Sequence, residues 1–346
     1  MGAEKKVAVV ILSWNGIKFL EQFLPSVVKN TSLDLCEIVV ADNCSTDGSV
    51  QFVQKNYPQI TIVQNKRNGG YAGGYNDALK SVKAKYYVLL NQDVEVTPNW
   101  VEAVFEQMDK SDDIVAAQPK LRDFYKRDYF EYAGGAGGYM DRYGYAFCRG
   151  RLFDTIEKDE GQYDDVREIF WATGACMFVR SEIFWKAGAF DEDFFAHQEE
   201  IDLCWRVRNM GYHIICVPAS VIYHVGGGSL PQGNPRKTYL NFRNNMMMMF
   251  KNLPLYMMLW KIPLRFGLDV LAGYYGIYKH GGFKDMLAIF KAHVAFCFAL
   301  PQLIRKRRVI PHPSSVYFSQ VNLLWQYFGR DKTKFSELVI QAPTRN

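Results

Sequence analysis

The sequence predicts an α/β protein built on a doubly wound, mostly parallel sheet and ending in a helical extension. Three observations carry this. Short β-branched runs alternate with helix-compatible segments over the first 120 residues. Polar residues cluster directly after each of those runs, and beyond Pro231 the pattern turns helical and stays so to about Ile304. The expected organisation is one unit of residues 1–230 followed by an extension of residues 231–346.

Residues 7–12 are apolar throughout, and 7–13 predict a buried strand; 17–29 predict a helix, and 37–41 and 60–64 two further strands, each followed by a polar turn. Residues 71–82 suit a helix and 86–90 another buried strand. Thr97-Pro98 offers a cap and a first-turn proline to a helix that begins near Asn99. Residues 122–166, rich in Gly and Tyr and then acidic, predict an irregular insertion or hairpin over the sheet edge. Order returns at 169–179, with a short amphipathic helix over 199–210 ended by Gly211, and short strands at 213–217 and 221–224. The helical extension is expected to break at Pro254, Pro263, Gly281-Gly282 and Pro301.

Charge is distributed unevenly. Residues 231–308 hold 13 Lys or Arg against two acids, whereas residues 1–230 hold 24 bases and 32 acids. Basic residues interleaved with bulky apolar ones point to an anionic membrane surface as partner rather than to nucleic acid. The run Arg305, Lys306, Arg307, Arg308 and the apolar clusters 246–250 and 253–260 are the expected contact, giving reversible association weakened by salt. Packing on the catalytic core or on a second copy is the competing explanation. The longest uncharged stretch, 292–304, would cover about 20 Å as a helix, short of a bilayer core. Seven dispersed cysteines without a CxxC pair form neither a disulfide framework nor a zinc knuckle, and no cleavable targeting segment is visible; a cytoplasmic, peripheral location is expected.

Ligands of such a sheet bind beyond the carboxyl ends of its strands. Ser13, Trp14 and Asn15 fall there after the first strand, Asp42 and Asn43 after the second, Asn68, Gly69 and Gly70 after the third, and Asn91, Gln92 and Asp93 after the fourth. Asp93 is the best placed carboxylate for a divalent cation, although a lone strand-end Asp is commonly a turn residue. Asp42 can read a base or a ribose, while Asp47 is expected to cap a helix. The glycines at 69, 70, 73 and 74 lack the spacing of a dinucleotide or P-loop motif but permit close backbone approach to a ligand, with Asn76 one turn farther on. Glu199 and Glu200 are adjacent, so they face different ways on a helix; one can serve as a general base while the other opposes the helix dipole. His224 precedes a glycine run and can approach a ligand or be structural. Trp171, Asp202 and Arg206 are assigned to the acceptor side.

With those residues in order, the chain resembles the inverting family 2 glycosyltransferases of GT-A fold, particularly a rhamnosyltransferase-like bacterial subgroup. The resemblance covers residues 7 to about 250. It rests on Val-Ile-Leu-Ser-Trp-Asn-Gly at 10–16, Val-Val-Ala-Asp-Asn-Cys-Ser-Thr-Asp-Gly-Ser at 39–49, Asn-Gly-Gly-Tyr-Ala-Gly-Gly-Tyr-Asn at 68–76, Leu-Leu-Asn-Gln-Asp at 89–93 and the segment 188–206. It implies a nucleotide-sugar donor, a saccharide or lipid-linked acceptor, and a divalent cation, Mn2+ or Mg2+, held by Asp93 as the last residue of a degenerate D-x-D motif. It further implies that Asp42 contacts the nucleoside, that His224 reaches the metal or diphosphate, and that Glu200 is the base in the family's Glu-Asp motif. Asn91 stands for the first Asp of D-x-D, and Glu200 for the usual Asp, which leaves the choice between Glu199 and Glu200 open. A sugar nucleotidyltransferase and a carbohydrate-binding scaffold on the same fold are the alternatives; a homo-oligomer is compatible with all three.

Overall fold

In a computed structural model, which describes residues 5–226, 234–280, 283–311 and 319–340, the chain opens with β1 (Val7–Ser13), α1 (Ile17–Asn30), β2 (Cys36–Asp42), α2 (Ser49–Asn56), β3 (Thr61–Gln64), α3 (Gly70–Leu79) and β4 (Tyr86–Asn91). There follow β5 (Val94–Val96), α4 (Trp100–Asp109) and β6 (Ile114–Asp123). Four short strands come next: β7 (Gly138–Met140), β8 (Ala146–Cys148), β9 (Arg151–Leu152) and β10 (Thr155–Ile156). The main unit is completed by β11 (Arg167–Glu168), β12 (Cys176–Arg180), α5 (Ser181–Lys186), α6 (Glu199–Asn209) and β13 (His213–His224), and the C-terminal part by α7 (Pro235–Asn252), α8 (Leu255–His280) and α9 (Lys284–Arg307).

Among the described residues the main sheet runs β11-β13-β6-β12-β4-β1-β2-β3, with β5 added beside β13. β1 to β4 are mutually parallel where they pair, and β13 is parallel to β6. The antiparallel members are β5, β11 and β12. The expected fold class is therefore present, with an antiparallel insert. Val7, Val9 and Ile11 face one side of the sheet and pack with Leu20, Leu24, Trp100 and Val104. Ala8 and Val10 face the other, toward Tyr75, Phe184, Trp205 and the methionines of α7. A strand covered on both faces must be apolar along its covered length, which is why residues 7–12 of β1, 38–41 of β2 and 86–90 of β4 are continuous apolar runs.

Three expectations need correction. The strands expected at 213–217 and 221–224 are one strand, β13, interrupted by a register shift between Val217 and Val221 where the chain accommodates Pro218. Pro263 and Pro301 lie inside α8 and α9 and do not end them; Pro254 does separate α7 from α8, and Gly281-Gly282 lies outside the described residues. The cluster 246–250 does not face outward, because Met246, Met247, Met248 and Met249 are all buried in the core shared with the sheet. The insertion expected at 122–166 carries the four-stranded sheet β10-β9-β8-β7.

α7 thus completes the core of the sheet-bearing unit. Truncating a fully buried methionine removes transfer energy and leaves a cavity, so Met248→Ala is expected to lower unfolding stability by about 2–5 kcal/mol, read from the urea midpoint; a shift within error would mean that α7 contributes no core.

Candidate active site

Strand register brings the candidate residues together. Ser13 pairs with Asp42 across β1 and β2, and Leu12 with Asn91 across β1 and β4, so the polar residues that follow emerge along one edge. His224, at the end of β13, lies opposite both Val94 of β5 and Asp123 of β6, which sets it beside Asp93. Its Nε2 is 3.3 Å from Asp93 Oδ1, and its Nδ1 is 3.3 Å from Glu131 Oε1. The Asn91 amide is 3.5 Å from the same Nε2. Burial works against a charge on Asp93, but the facing His224 wins and holds its carboxyl below the usual range. Burial likewise opposes charge on His224, yet Asp93 and Glu131 hold its pKa up to about 10.

Among the described residues no three Asp, Glu, His or Cys side chains converge as a protein-only metal cage. Asp93 nevertheless offers an oxygen, and His224 a nitrogen once a cation takes the place of the proton that Asp93 now holds on Nε2, at one point of the strand edge. That set suits a divalent ion whose remaining ligands are diphosphate oxygens and water, because such ions are commonly held by one or two protein groups plus substrate phosphate.

Glu199 and Glu200 open α6, and the chain reaches them through three non-glycine residues in left-handed conformation: Phe195 (φ 63), His197 (φ 71) and Gln198 (φ 72). Each costs on the order of 1–3 kcal/mol, so the loop has to be held from outside. Asn244 of α7 does so, its amide nitrogen lying 3.0, 3.0 and 2.7 Å from the carbonyls of Phe194, Ala196 and His197. The Phe195 carbonyl meanwhile accepts from the Tyr71 and Ala72 amides. Glu199 is buried and Glu200 half-buried, and one oxygen of each has no hydrogen-bond partner among the described residues. Burial, then the Glu200 charge, pushes Glu199 well above the carboxylate range; burial raises Glu200 to about 7. Burial pushes the neighbouring His197 down to about 4, with Lys237 adding to the shift.

Other candidates are held in place by the fold. Ser13 Oγ donates to Gln92 Oε1 at 2.7 Å. Asn15 joins two loops by accepting from the Thr46 amide and donating to Ser45 Oγ, and leaves Trp14 exposed at the rim. Asp42 accepts from the Ser45 amide at 3.2 Å, and Asp47 from the Ile17 and Ser49 amides, as expected of a capping residue.

The structure does not bring every candidate to the cleft. Asn68 accepts from Asn43 and from the Gly70 amide, while the Gly69 amide is turned to Asn43. Gly70 has a φ of +68° and a side chain there would meet the Phe195 carbonyl at 2.4 Å, so these glycines dock the α6 loop and present no free amide to a phosphate. Asn76 clamps Phe190 through both its amide groups. Trp171 is buried and donates to the Tyr139 carbonyl, anchoring the insertion. Asp202 is fully buried, receiving Arg206 at 3.0 Å, Lys251 at 3.0 Å and Asn252 at 2.8 Å. Arg206 itself is spent on the carbonyls of Ala187 and Ala189. Asn68, Asn76, Asp202 and Arg206 all have polar partners within the protein.

Sequence reasoning missed Glu131, His197, Lys237 and Asn244. A carboxylate within a Gly- and Tyr-rich insertion carries no local signal, since Glu131 reaches His224 only because its amide pairs with the Leu121 carbonyl of β6. Asn244 is one of several polar residues in a helix and is distinguished only by what it faces. His197 stood within the motif segment and offered the best signal.

The chain belongs to glycosyl transferase family 2, whose description matches residues 8–188, more than half its length. Among its relatives is the N-acetylglucosaminyl-diphospho-decaprenol L-rhamnosyltransferase of Mycobacterium tuberculosis, 26% identical over 234 residues that cover 62% of this chain and 75% of that protein. The fold is also similar to that of GalNAc-T7 with UDP, GalNAc and Mn2+, with a TM-score of 0.58 at 16% identity over 90% of this chain and 59% of that one. The mannosyltransferase PcManGT of Pyrobaculum calidifontis, in complex with GDP-Man and Mn2+, has a TM-score of 0.51 at 16% identity over 88% and 85% of the two chains. The architecture is the GT-A type, an α/β sheet with helices after it.

The loop that carries Glu199 and Glu200 is tied to the C-terminal helices by charge. Lys251 of α7 reaches Asp191 at 2.6 Å and Asp202 at 3.0 Å, and Lys306 of α9 contacts Asp191 and Asp193. Lys251→Met removes the cation shared by two buried carboxylates and leaves Asp202 with Arg206 and Asp191 with Lys306, a loss of about 3–5 kcal/mol. Lys306→Met, at a more exposed position, is expected to cost less. Chemical denaturation of both variants checks the order, and equal losses would contradict it.

Proposed function

We propose that this family 2 glycosyltransferase transfers a sugar, with inversion, from a nucleotide diphosphate donor to a hydroxyl of a saccharide or lipid-linked saccharide in cell-surface polysaccharide synthesis. We place its work at the inner face of the cell membrane. The observation that carries the reading is the presence of two unlike sites on the sheet-bearing unit: a buried Asp93–His224 pair at the strand edge, and carboxylates with unpartnered oxygens at the start of α6.

In this reading Asp42, Trp14, Asn15 and Ser13 border the nucleoside end, and Asp93 with His224 would hold a divalent ion, Mn2+ or Mg2+, with Asn91 beside them. When bound, that ion supplies charge stabilisation to the departing diphosphate. Glu200 takes the proton from the attacking acceptor hydroxyl. Its shallower burial and pKa of about 7 suit a base that must be free near neutral pH, whereas burial and the Glu200 charge push the deeper Glu199 well above the carboxylate range. Asn244 and the Phe195 carbonyl contacts keep both carboxylates in place without touching substrate. Direct attack on the anomeric carbon, assisted by one base, gives inversion.

Because the base acts deprotonated, kcat/KM is expected to fall below about pH 7 in the wild type. Glu200→Gln should lose at least about 10²-fold in transfer and show no such acidic limb, with donor affinity retained. A second readout follows from linkage. The folded-state pKa lies above the ordinary 4.5, so the penalty for burying the charge is absent below pH 4.5 and fully developed above pH 7. Glu200→Gln should therefore raise the unfolding midpoint at pH 8 and leave it unchanged at pH 4. If Glu199→Gln behaves this way and Glu200→Gln does not, the two roles are exchanged. A panel of UDP, dTDP and GDP sugars with a lipid-linked acceptor, and the anomeric configuration of the product, test donor and stereochemistry together; a retained configuration would overturn the mechanism.

A further inference from the structure

α8 is turned inside out. From Leu255 to residue 275 every charged side chain of α8 is buried, and every exposed residue is apolar, aromatic, proline or glycine. The buried charges face the catalytic unit. Lys261 donates to the Arg142 carbonyl at 2.5 Å; Arg265 donates to Asp269 at 3.0 Å and to the Tyr143 carbonyl at 3.2 Å, and lies 3.9 Å from the centre of the Tyr145 ring. Asp269 in turn faces His293 of α9 at 3.2 Å. Outward, Leu255, Leu259, Trp260, Leu264, Leu271 and Tyr274 are 59%, 66%, 45%, 38%, 63% and 60% exposed. A water-facing helix has the reverse pattern, and an apolar surface this long marks a site of contact.

α9 continues the surface. Leu287, Phe290 and Phe298 point outward at 53%, 64% and 83% exposure, while Ala288, Ala292, His293, Phe296 and Leu303 are buried against the protein. Among the described residues α9 is the one helix long and apolar enough, by length and composition, to cross a membrane. Its buried side and the Lys306 and Arg307 contacts near its end keep it lying on the protein. The spacing places exposed Lys284 and Lys291 along the margin of this stripe and exposed Arg305 and Arg308 at its end. An apolar cavity of about 560 Å³, lined by Val270, Gly273, Phe283, Leu287 and Phe290 among others, opens between the two helices.

We propose that the outer face of α8 and α9 seats in the hydrocarbon boundary of a lipid bilayer, with Lys284, Lys291, Arg305 and Arg308 at the level of the phosphates. This deepens the membrane placement in the function proposed above and changes its physics. The basic run that sequence alone offers as the anchor is half committed elsewhere, Lys306 to Asp191 and Asp193 and Arg307 to the carbonyls of Phe250 and Lys251. Apolar burial then carries the attachment and exposed cations orient it. A second copy fits less well, since a two-fold contact through this stripe would set its four cations against one another with no exposed acid on the stripe to answer them.

Sedimentation of the full chain with phosphatidylcholine vesicles, with and without phosphatidylglycerol, tests the proposal. The wild type should bind neutral vesicles and stay bound in high salt, with Trp260 and its neighbours giving a blue-shifted emission; phosphatidylglycerol should tighten binding. The triple substitution Leu259→Glu, Leu271→Glu, Phe290→Glu, at exposed positions, should weaken binding at least about tenfold with donor hydrolysis and folding unchanged, whereas Arg305→Glu with Arg308→Glu should reduce only the preference for anionic lipid. Binding that vanishes in high salt, a triple variant that binds as the wild type does, or a dimer in light scattering that the triple variant dissolves without any vesicle binding would each overturn it. Vesicle binding without turnover of any donor would leave this surface standing and remove sugar transfer; turnover without vesicle binding would do the reverse.

Discussion

The buried ammonium of Lys251 holds the C-terminal helices to the loop that presents Glu199 and Glu200, and much of the remaining arrangement follows from that contact. It sits between Asp191 and Asp202, two carboxylates that burial would otherwise penalise severely. Burial opposes charge on Asp191, yet Lys251 and Lys306 together hold it far below the carboxylate range. Asp191 starts the short turn that leads into the strained Phe195–Gln198 segment, and Asp202 lies one turn into α6. Both ends of the loop that presents Glu199 and Glu200 are therefore fixed by the same helix that fills the core with Met246, Met247, Met248 and Met249. The unpartnered carboxylate oxygens of Glu199 and Glu200 stand on backbone that α7 restrains.

Much of the sheet was legible because burial on two faces leaves one composition open to a strand. β1, β4 and residues 38–41 of β2 announce themselves as apolar runs, with polar residues at their ends. β6 was not legible, since its sequence includes Gln118, Pro119 and Lys120. These are buried only because Gln118 bonds to nearby backbone and Lys120 pairs with Asp159, which lies in the insertion. The pairing of Asp93 with His224 could be expected from motif order, but not the addition of Glu131. Trp171, Asp202 and Arg206 mislead for the opposite reason: a polar side chain near a motif looks available until its internal partners are seen. The C-terminal charge excess misleads in the same way, with Lys251, Lys261 and Arg265 all turned into the protein.

The two sides of the cleft differ in what sets their electrostatics. On the Asp93 side opposite charges meet, and His224 with Asp93 and Glu131 stays ionic despite burial. On the α6 side two acids adjoin, and burial raises both, with the Glu200 charge raising Glu199 further. One fold thus holds an ionic pair and a pair of raised carboxylates, as unlike environments allow. The cations of α7 and α9 reach Asp191, Asp193 and Asp202; an ammonium reaching Glu200 would lower its pKa.

The central claim is that Asp93 and His224 form a half-site for a divalent ion, completed by the diphosphate of the donor. Titration of Mn2+ into the protein, followed by electron paramagnetic resonance of the free ion, tests it most directly when done with and without a nucleoside diphosphate. The account predicts weak binding to the protein alone, binding strengthened by the diphosphate, and loss of that strengthening in Asp93→Ala with the fold intact. Equal Mn2+ binding by wild type and Asp93→Ala in the presence of the diphosphate would contradict it.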